Sequence, residues 1–400
     1  MSIVRKCDFP VFDADHHLYE TKEAFTRHLP KEYKGYIDYV DVRGRTKIVL
    51  KGHISNYIPN PTFDVVARPG AHEAYYRDGN PEGKTLRELT GKPIKSMPAF
   101  RNPAAKLELL DEQGIDRTLC FPTLASVLEE HLRADIRATH AIVHSLNQWL
   151  HEEWSFNYQD RIFTTPVITL PIVDKAIEEL EWVLERGAKV ILIRPAPVPG
   201  FEGKRSFALP EFDPFWKKVV ESGVLVAMHA SDAGYAAYQA DWTGKRDEMR
   251  PFEEDAFRQT QTKRPIEDAM MSAICHGLFR RHPGLKIAAI ENGGSWVTSA
   301  IKNLSLAYKK MPHAFEENPV ETLRKRIYVA PFFEDDLSEV IAAMGGTSNI
   351  LFGSDYPHPE GLEQPTRFIE YLPKDLSQDE LKGIMGGNLG KLMGLDGMLA

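Results

Sequence analysis

Asp13, Asp15, His16 and His17 end an apolar run that opens with Val11 and Phe12. Side chains two apart along an extended strand share a face, so Asp13, Asp15 and His17 are expected to project together while His16 points the other way. A carboxylate and an imidazole on one face are donors for a divalent ion, although a solvated strand end can carry the same pair. The remaining donors must come from later in the chain. Arg194 follows Val190-Ile191-Leu192-Ile193, His229 follows Val224 to Met228, Glu291-Asn292-Gly293-Gly294 follows Ile287 to Ile290, and Asp355-Tyr356-Pro357-His358 comes just after Ile350-Leu351-Phe352. Glu20 stands a turn beyond the first run. Each has a plain structural alternative: His229 as a hydrogen-bonded strand end, Asp355 as a helix cap, Arg194 as a surface ion pair. Their joint arrival at equivalent positions favours a site. Two imidazoles with two carboxylates make a mixed nitrogen and oxygen set for one borderline divalent ion, zinc or manganese, with room for water or substrate.

These residues need elements that bring strand ends together. Apolar, β-branched runs near residues 11, 119, 166, 191, 226, 288, 328 and 351 read as eight strands, nearly all preceded by a helical pattern. The helices are expected over Pro103 to Gly114, Arg133 to Trp154, Asp174 (as N-cap) to Gly187, Phe215 to Ser222, Ala269 to Arg281 and Val320 to Arg326. Continuous apolar strands alternating with helices imply a parallel sheet covered outside, and eight of them imply an α/β fold closed as a (β/α)8 barrel of the TIM type, with sites at the C-terminal strand ends. An open doubly wound sheet is the alternative. No GxGxxG follows a strand, and Gly386-Gly387-Asn388-Leu389-Gly390 follows a helix begun by the capping box Ser377 to Glu380. The polar, aromatic, Gly- and Pro-rich stretch 32–101 reads as an inserted lid or small subdomain after the first strand, within a single domain spanning 1–400.

A net charge of −8 and a pI near 6.0 give no footprint for nucleic acid. The first residues lack the apolar core of a signal peptide, and no apolar run is long enough for a bilayer, so a cytoplasmic protein without membrane partners is expected. Cys7, Cys120 and Cys275 are too few and scattered for a disulfide framework or a CxxC site. They are expected to be reduced and mostly buried.

Together, Asp13-Ala14-Asp15-x-His17-x-x-Glu20, His229, Gly277-x-Phe279-Arg280-Arg281-His282-Pro283-Gly284-Leu285-Lys286 and Gly353-Ser354-Asp355-Tyr356-Pro357-His358 resemble the metal-dependent amidohydrolase superfamily. The nearest branch contains aminocarboxymuconate semialdehyde decarboxylase and the resorcylate-type decarboxylases. The resemblance runs from about residue 8 to residue 396 and implies Asp15, His17, His229 and Asp355 as metal ligands, with Asp355 also the acid/base group. One position departs from it: many relatives carry His before the Gly-Gly pair, where this chain has Asn292 preceded by Glu291. Asn is no general base at neutral pH, so that role passes to Glu291, His358 or Asp355, or is not needed. His229, Glu291, Asn292 and His358 join Asp355 as catalytic candidates. Arg194, Trp296, Phe332 and Glu20 are substrate-binding candidates, with Arg68, Arg101 or His53 as anion clamps from the insertion. The expected reaction is non-oxidative decarboxylation of a small aromatic hydroxy-carboxylic acid, since that chemistry does without the missing His. The alternatives are hydrolysis of an amide, ester or lactone, and a barrel that binds a small acid without turning it over. The branch also implies a homodimer.

Overall fold

The computed structural model describes residues 7–244, 248–249 and 255–395. Its centre is a ring of parallel strands. β1 (Phe12–Leu18), β2 (Arg117–Pro122) and β3 (Ile162–Thr164) pair in that order. β4 (Val190–Ile193), β5 (Leu225–His229), β6 (Ile287–Ile290) and β7 (Ile327–Val329) pair in a second set.

Two irregular joins close the ring. Pro166 has no N–H to give, so the regular ladder stops before it. The chain then crosses to β4, where Leu192 N donates to Pro166 O at 2.8 Å and Ile168 N to Leu192 O at 2.9 Å. On the other side the segment 350–352 serves as the eighth strand: Leu351 N donates to Val329 O at 2.8 Å, and Ala14 N of β1 donates to Phe352 O at 2.8 Å. The fold is therefore the eight-stranded α/β barrel expected from the sequence. All four side chains of β4 and all four of β6 are buried, as strands covered on both faces must be.

Helix boundaries depart from the sequence reading in three places. The long helix expected from Arg133 starts at Ile136, where Asp135 accepts from Ala138 N at 3.2 Å as N-cap, and a separate helix precedes it at Ala125–Leu132. Asp174 is not an N-cap; it lies in the first turn of Val173–Glu185, where its charge suits the helix dipole. The pattern from Ala269 to Arg281 is two helices, Arg264–Cys275 and Leu278–Arg281, interrupted at Gly277 with φ 71°. The capping box of Ser377 and Glu380 forms as expected.

Within 32–101 the chain makes a three-stranded antiparallel sheet (Ile37–Val42, Arg45–Leu50, His53–Ser55), a two-stranded pair (Val65–Val66 with Ile94–Lys95) and two short helices, Glu73–Asp78 and Leu86–Thr90. Aromatic contacts dock it on the barrel mouth. Phe63 stacks on Tyr19 with ring centroids 4.3 Å apart, and Phe100 meets the same ring edge-on at 5.6 Å. Gly70 N and His72 N donate to His358 O and Pro359 O at 3.2 and 2.8 Å. No helix among the described residues is long and apolar enough to cross a membrane.

Candidate metal centre

Five barrel-mouth side chains converge: Asp15 and His17 from β1, His229 at the end of β5, Glu291 after β6 and Asp355 after the eighth segment. The donor atoms of Asp15, His17, His229 and Glu291 lie within 4.8 Å of one another, as do those of His17, Glu291, Asp355 and His358. His17 Nε2 is 3.2 Å from His229 Nε2, 3.1 Å from Glu291 Oε2, and 3.5 Å from both Asp15 Oδ1 and Asp355 Oδ1. His229 Nε2 is 2.8 Å from Glu291 Oε2 and 3.4 Å from Asp15 Oδ1. Donors each about 2.1 Å from a tetrahedral ion stand about 3.4 Å apart, and the separations here run from 2.8 to 3.5 Å. Asp15 Oδ1 and Asp355 Oδ2 are buried with no hydrogen-bond partner among the described residues. The orphaned Asp15 Oδ1, 3.5 and 3.4 Å from the two imidazoles, fits a divalent cation.

The backbone aims these groups. Glu291 and Asp355 both adopt left-handed conformations, φ 54° and 55°, which non-glycine residues seldom take and which cost of order 1–3 kcal/mol each. Asp355 is pinned to β1 by its N–H, which donates to Asp15 O at 2.8 Å. Asp13 ties the same seam: its carboxylate accepts from Ser354 N at 3.0 Å, Ser354 Oγ at 2.5 Å and Asp15 N at 3.0 Å. Burial raises its pKa to about 7 against those hydrogen bonds.

Partners on the far side of each imidazole fix its orientation. His229 Nδ1 lies 2.9 Å from Ala230 O, leaving Nε2 for the centre. His17 Nδ1 lies 3.3 Å from Thr123 Oγ1, which itself donates to Leu18 O at 2.9 Å. Thr123 is held in turn by Glu20, whose carboxylate accepts from Thr123 N at 3.2 Å and Ala125 N at 3.0 Å. Behind β1 the fully buried Lys106 donates to His17 O at 2.6 Å and lies 2.8 Å from His16 Nδ1, while Gln113 Oε1 is 3.5 Å from His16 Nε2.

The charges are strongly coupled. Burial disfavours a charged His229, but the carboxylates of Glu291 and Asp15 outweigh it and raise the imidazole to about 10. Burial likewise opposes a charged Glu291, yet the two imidazoles hold it well below the usual carboxylate range. Asp355 is pushed well up, first by burial and then by the charges of Glu291, Glu360 and Asp15. Its Oδ1 is 2.6 Å from His358 Nδ1, and the His358 ring lies 4.0 Å from that of His17.

Several expected roles change. Asn292 has a structural tie: its amide donates to Met228 O at 3.1 Å and Ile290 O at 2.6 Å, joining the ends of β5 and β6. Glu291, expected only as a catalytic candidate, stands among the metal donors. Arg194, a substrate-binding candidate, pairs with Glu130 at 3.1 Å and Glu129 at 3.7 Å, and its Nη1 also donates to Asp232 O, while its buried Nη2 has no hydrogen-bond partner among the described residues. Trp296 is 1% exposed and donates to Gly293 O, a packing role. Glu20, expected to bind substrate, accepts from the backbone N–H groups of Thr123 and Ala125. Phe332 presents a face to the Lys263 ammonium at 3.9 Å. In the insertion, Arg68 pairs with Glu363, Arg101 donates to Thr62 O, and His53 is exposed.

Lys106, Thr123, Ser354 and Lys263 were not singled out from the sequence. Only Lys106 had a visible signal, lying three and four residues before the buried Leu109 and Leu110 on one helix face.

A closed parallel barrel with histidines and carboxylates gathered at the C-terminal strand ends defines a class of metal-dependent barrel enzymes. The chain belongs to the amidohydrolase-2 family, whose model, described as amidohydrolase, matches residues 12–395. It is thus an enzyme of the amidohydrolase superfamily. A crystal structure of an amidohydrolase from Mycobacterium avium subsp. paratuberculosis K-10 is 39% identical, with TM-score 0.91 over 97% of this chain and 100% of that one. A dihydroxybenzoic acid decarboxylase from Polaromonas sp. JS666, with bound manganese and the inhibitor 2-nitroresorcinol, shares the fold at TM-score 0.58 and 14% identity over 97% and 98% of the two chains. The 2-amino-3-carboxymuconate-6-semialdehyde decarboxylase of Dictyostelium discoideum is 28% identical over 139 residues, 32% of this chain and 36% of that protein. The chain thus spans about a third of that relative's length.

Proposed function

We propose that the protein is a metal-dependent non-oxidative decarboxylase of a small aromatic hydroxy-carboxylic acid. The observation that carries this reading is Asp355: a buried carboxyl beside the metal donors, with one oxygen fixed by His358 and the other unpartnered. Asp15, His17, His229 and Glu291 would hold one divalent ion, zinc or manganese by donor type. Bound there, the ion supplies a Lewis acid that polarises and orients substrate oxygens.

The protein's own groups do the rest. Burial, with the charges of Glu291, Glu360 and Asp15, pushes the Asp355 carboxyl up, and His358 Nδ1 at Oδ1 leaves Oδ2 to carry a proton to the substrate. Transfer to the ring carbon bearing the carboxylate makes a dearomatised acid; the carbon–carbon bond then breaks, its electrons restore the ring, and carbon dioxide leaves. Asp355 regains its proton from water. No residue need deprotonate a water molecule, which suits Asn292 being committed to backbone carbonyls. Decarboxylases among proteins of this fold, one of them with manganese, support the reading.

Purified protein, loaded in turn with zinc and manganese, is to be assayed for carbon dioxide release from a panel of hydroxybenzoates and for proton release from lactones and amides. Release of carbon dioxide that Asp355→Asn abolishes, with ion content unchanged, is the expected result. Turnover confined to lactones or amides would replace it with the hydrolase reading.

A further inference from the structure

Lys263, the residue before the helix Arg264–Cys275, carries an ammonium with no hydrogen bond or ion pair among the described residues. It lies across the turn that presents Glu291. A Cβ added at Gly293, two residues on, would stand 2.8 Å from Lys263 Nζ, 3.0 Å from Asp335 Oδ2 and 3.0 Å from the Phe332 ring. Gly293 (φ 63°) therefore makes the space in which the ammonium sits, and Phe332 supports it from below at 3.9 Å.

Burial lowers the Lys263 pKa while the nearby charges of Asp335, Glu334 and Glu291 oppose that, and none of the three acids forms a hydrogen bond to it. Asp335 Oδ2 is taken by Gly294 N at 2.7 Å and Phe332 N at 2.8 Å. Glu291 is bonded to His17 and His229. Glu334 has a buried Oε2 without a partner among the described residues and is raised to about 7, chiefly by burial, so its carboxyl is only partly ionised near neutrality. A lysine in such surroundings, beside the turn that carries Glu291, has no hydrogen-bonded anion among the described residues.

We propose that Lys263 anchors a second anionic group of the substrate, so that the acid turned over is a diacid: one acidic function at the metal donors, the other on Lys263. This rests on the decarboxylase reading for the reaction, but its own test is a binding measurement. The metal-loaded protein is titrated by calorimetry with 2-hydroxybenzoate and with 2-hydroxyisophthalate, which adds one carboxylate. One charge-assisted hydrogen bond corresponds to about 10- to 100-fold tighter binding of the diacid. Lys263→Met should erase that preference while leaving the affinity for 2-hydroxybenzoate unchanged, which also reports an intact fold. Lys263→Arg should keep most of the preference. The anchor is overturned if wild type shows no preference or binds neither acid, if the preference survives in Lys263→Met, or if that variant loses both acids together. A Lys263-dependent preference without carbon dioxide release would leave the anchor standing and remove the decarboxylase. Carbon dioxide release indifferent to Lys263 would do the reverse.

Discussion

Neighbouring residues Glu291 and Asn292 do different jobs, and substitution separates them. Glu291→Gln removes a charged donor placed about 3 Å from both imidazoles, so bound ion measured by mass spectrometry should fall, with affinity down about tenfold or more. Asn292→Ala should leave ion content intact and instead cost about 1–3 kcal/mol in denaturant unfolding, because two buried carbonyls lose their donor. Sequence located the right turn, since an acid and an amide directly after an apolar strand are conspicuous. It could not say which side chain faces inward. That depends on the left-handed φ of Glu291, a conformation that no local residue preference announces.

Elements position the donors from behind. Lys106 reaches from the helix Pro103–Gln113 to His17 O, holding the backbone of a donor strand. Lys106→Met keeps the side-chain length while removing this hold; metal affinity should drop about 10- to 100-fold with little loss of thermal stability, since a buried charge is also removed. A second contact fixes the outer wall of the seam. At Gly386 a Cβ would lie 2.7 Å from Phe12 N and 3.2 Å from Pro10 O, both backbone, so neither can yield. Gly386→Ala should destabilise by about 2–4 kcal/mol in a chemical melt. The glycine run 386–390 was read correctly as following a capped helix, but its close approach to β1 joins positions too far apart in sequence to be seen there.

At the scale of the whole molecule, strand periodicity and helix alternation were enough to give the barrel, because strands buried on both faces must be apolar throughout. The insertion was visible only as a break in that rhythm: its short strands pair antiparallel and half exposed, a weak pattern to recognise. Global stability should also carry an acid limb from a half-buried imidazole outside the metal-donor set. His140 Nε2 accepts from Ile172 N at 3.1 Å, and burial lowers its pKa to about 4. The unfolded chain therefore binds the extra proton between about pH 6.5 and 4, so stability is full above that window and lost as pH falls through it, by up to about 3 kcal/mol. His140→Gln should flatten that stretch of the stability profile measured by urea unfolding.

The metal donors of β1 lie on the seam with the segment 350–352, with Ser354 Oγ donating to Asp15 O across 339 residues. Synthesis therefore delivers Asp15 and His17 long before His229, Glu291 and the segment that closes the seam. Until those are made the early donors have no partners to complete a cage, and loop closure over so long a stretch comes late. Ion loading thus follows barrel closure and does not guide the first strands.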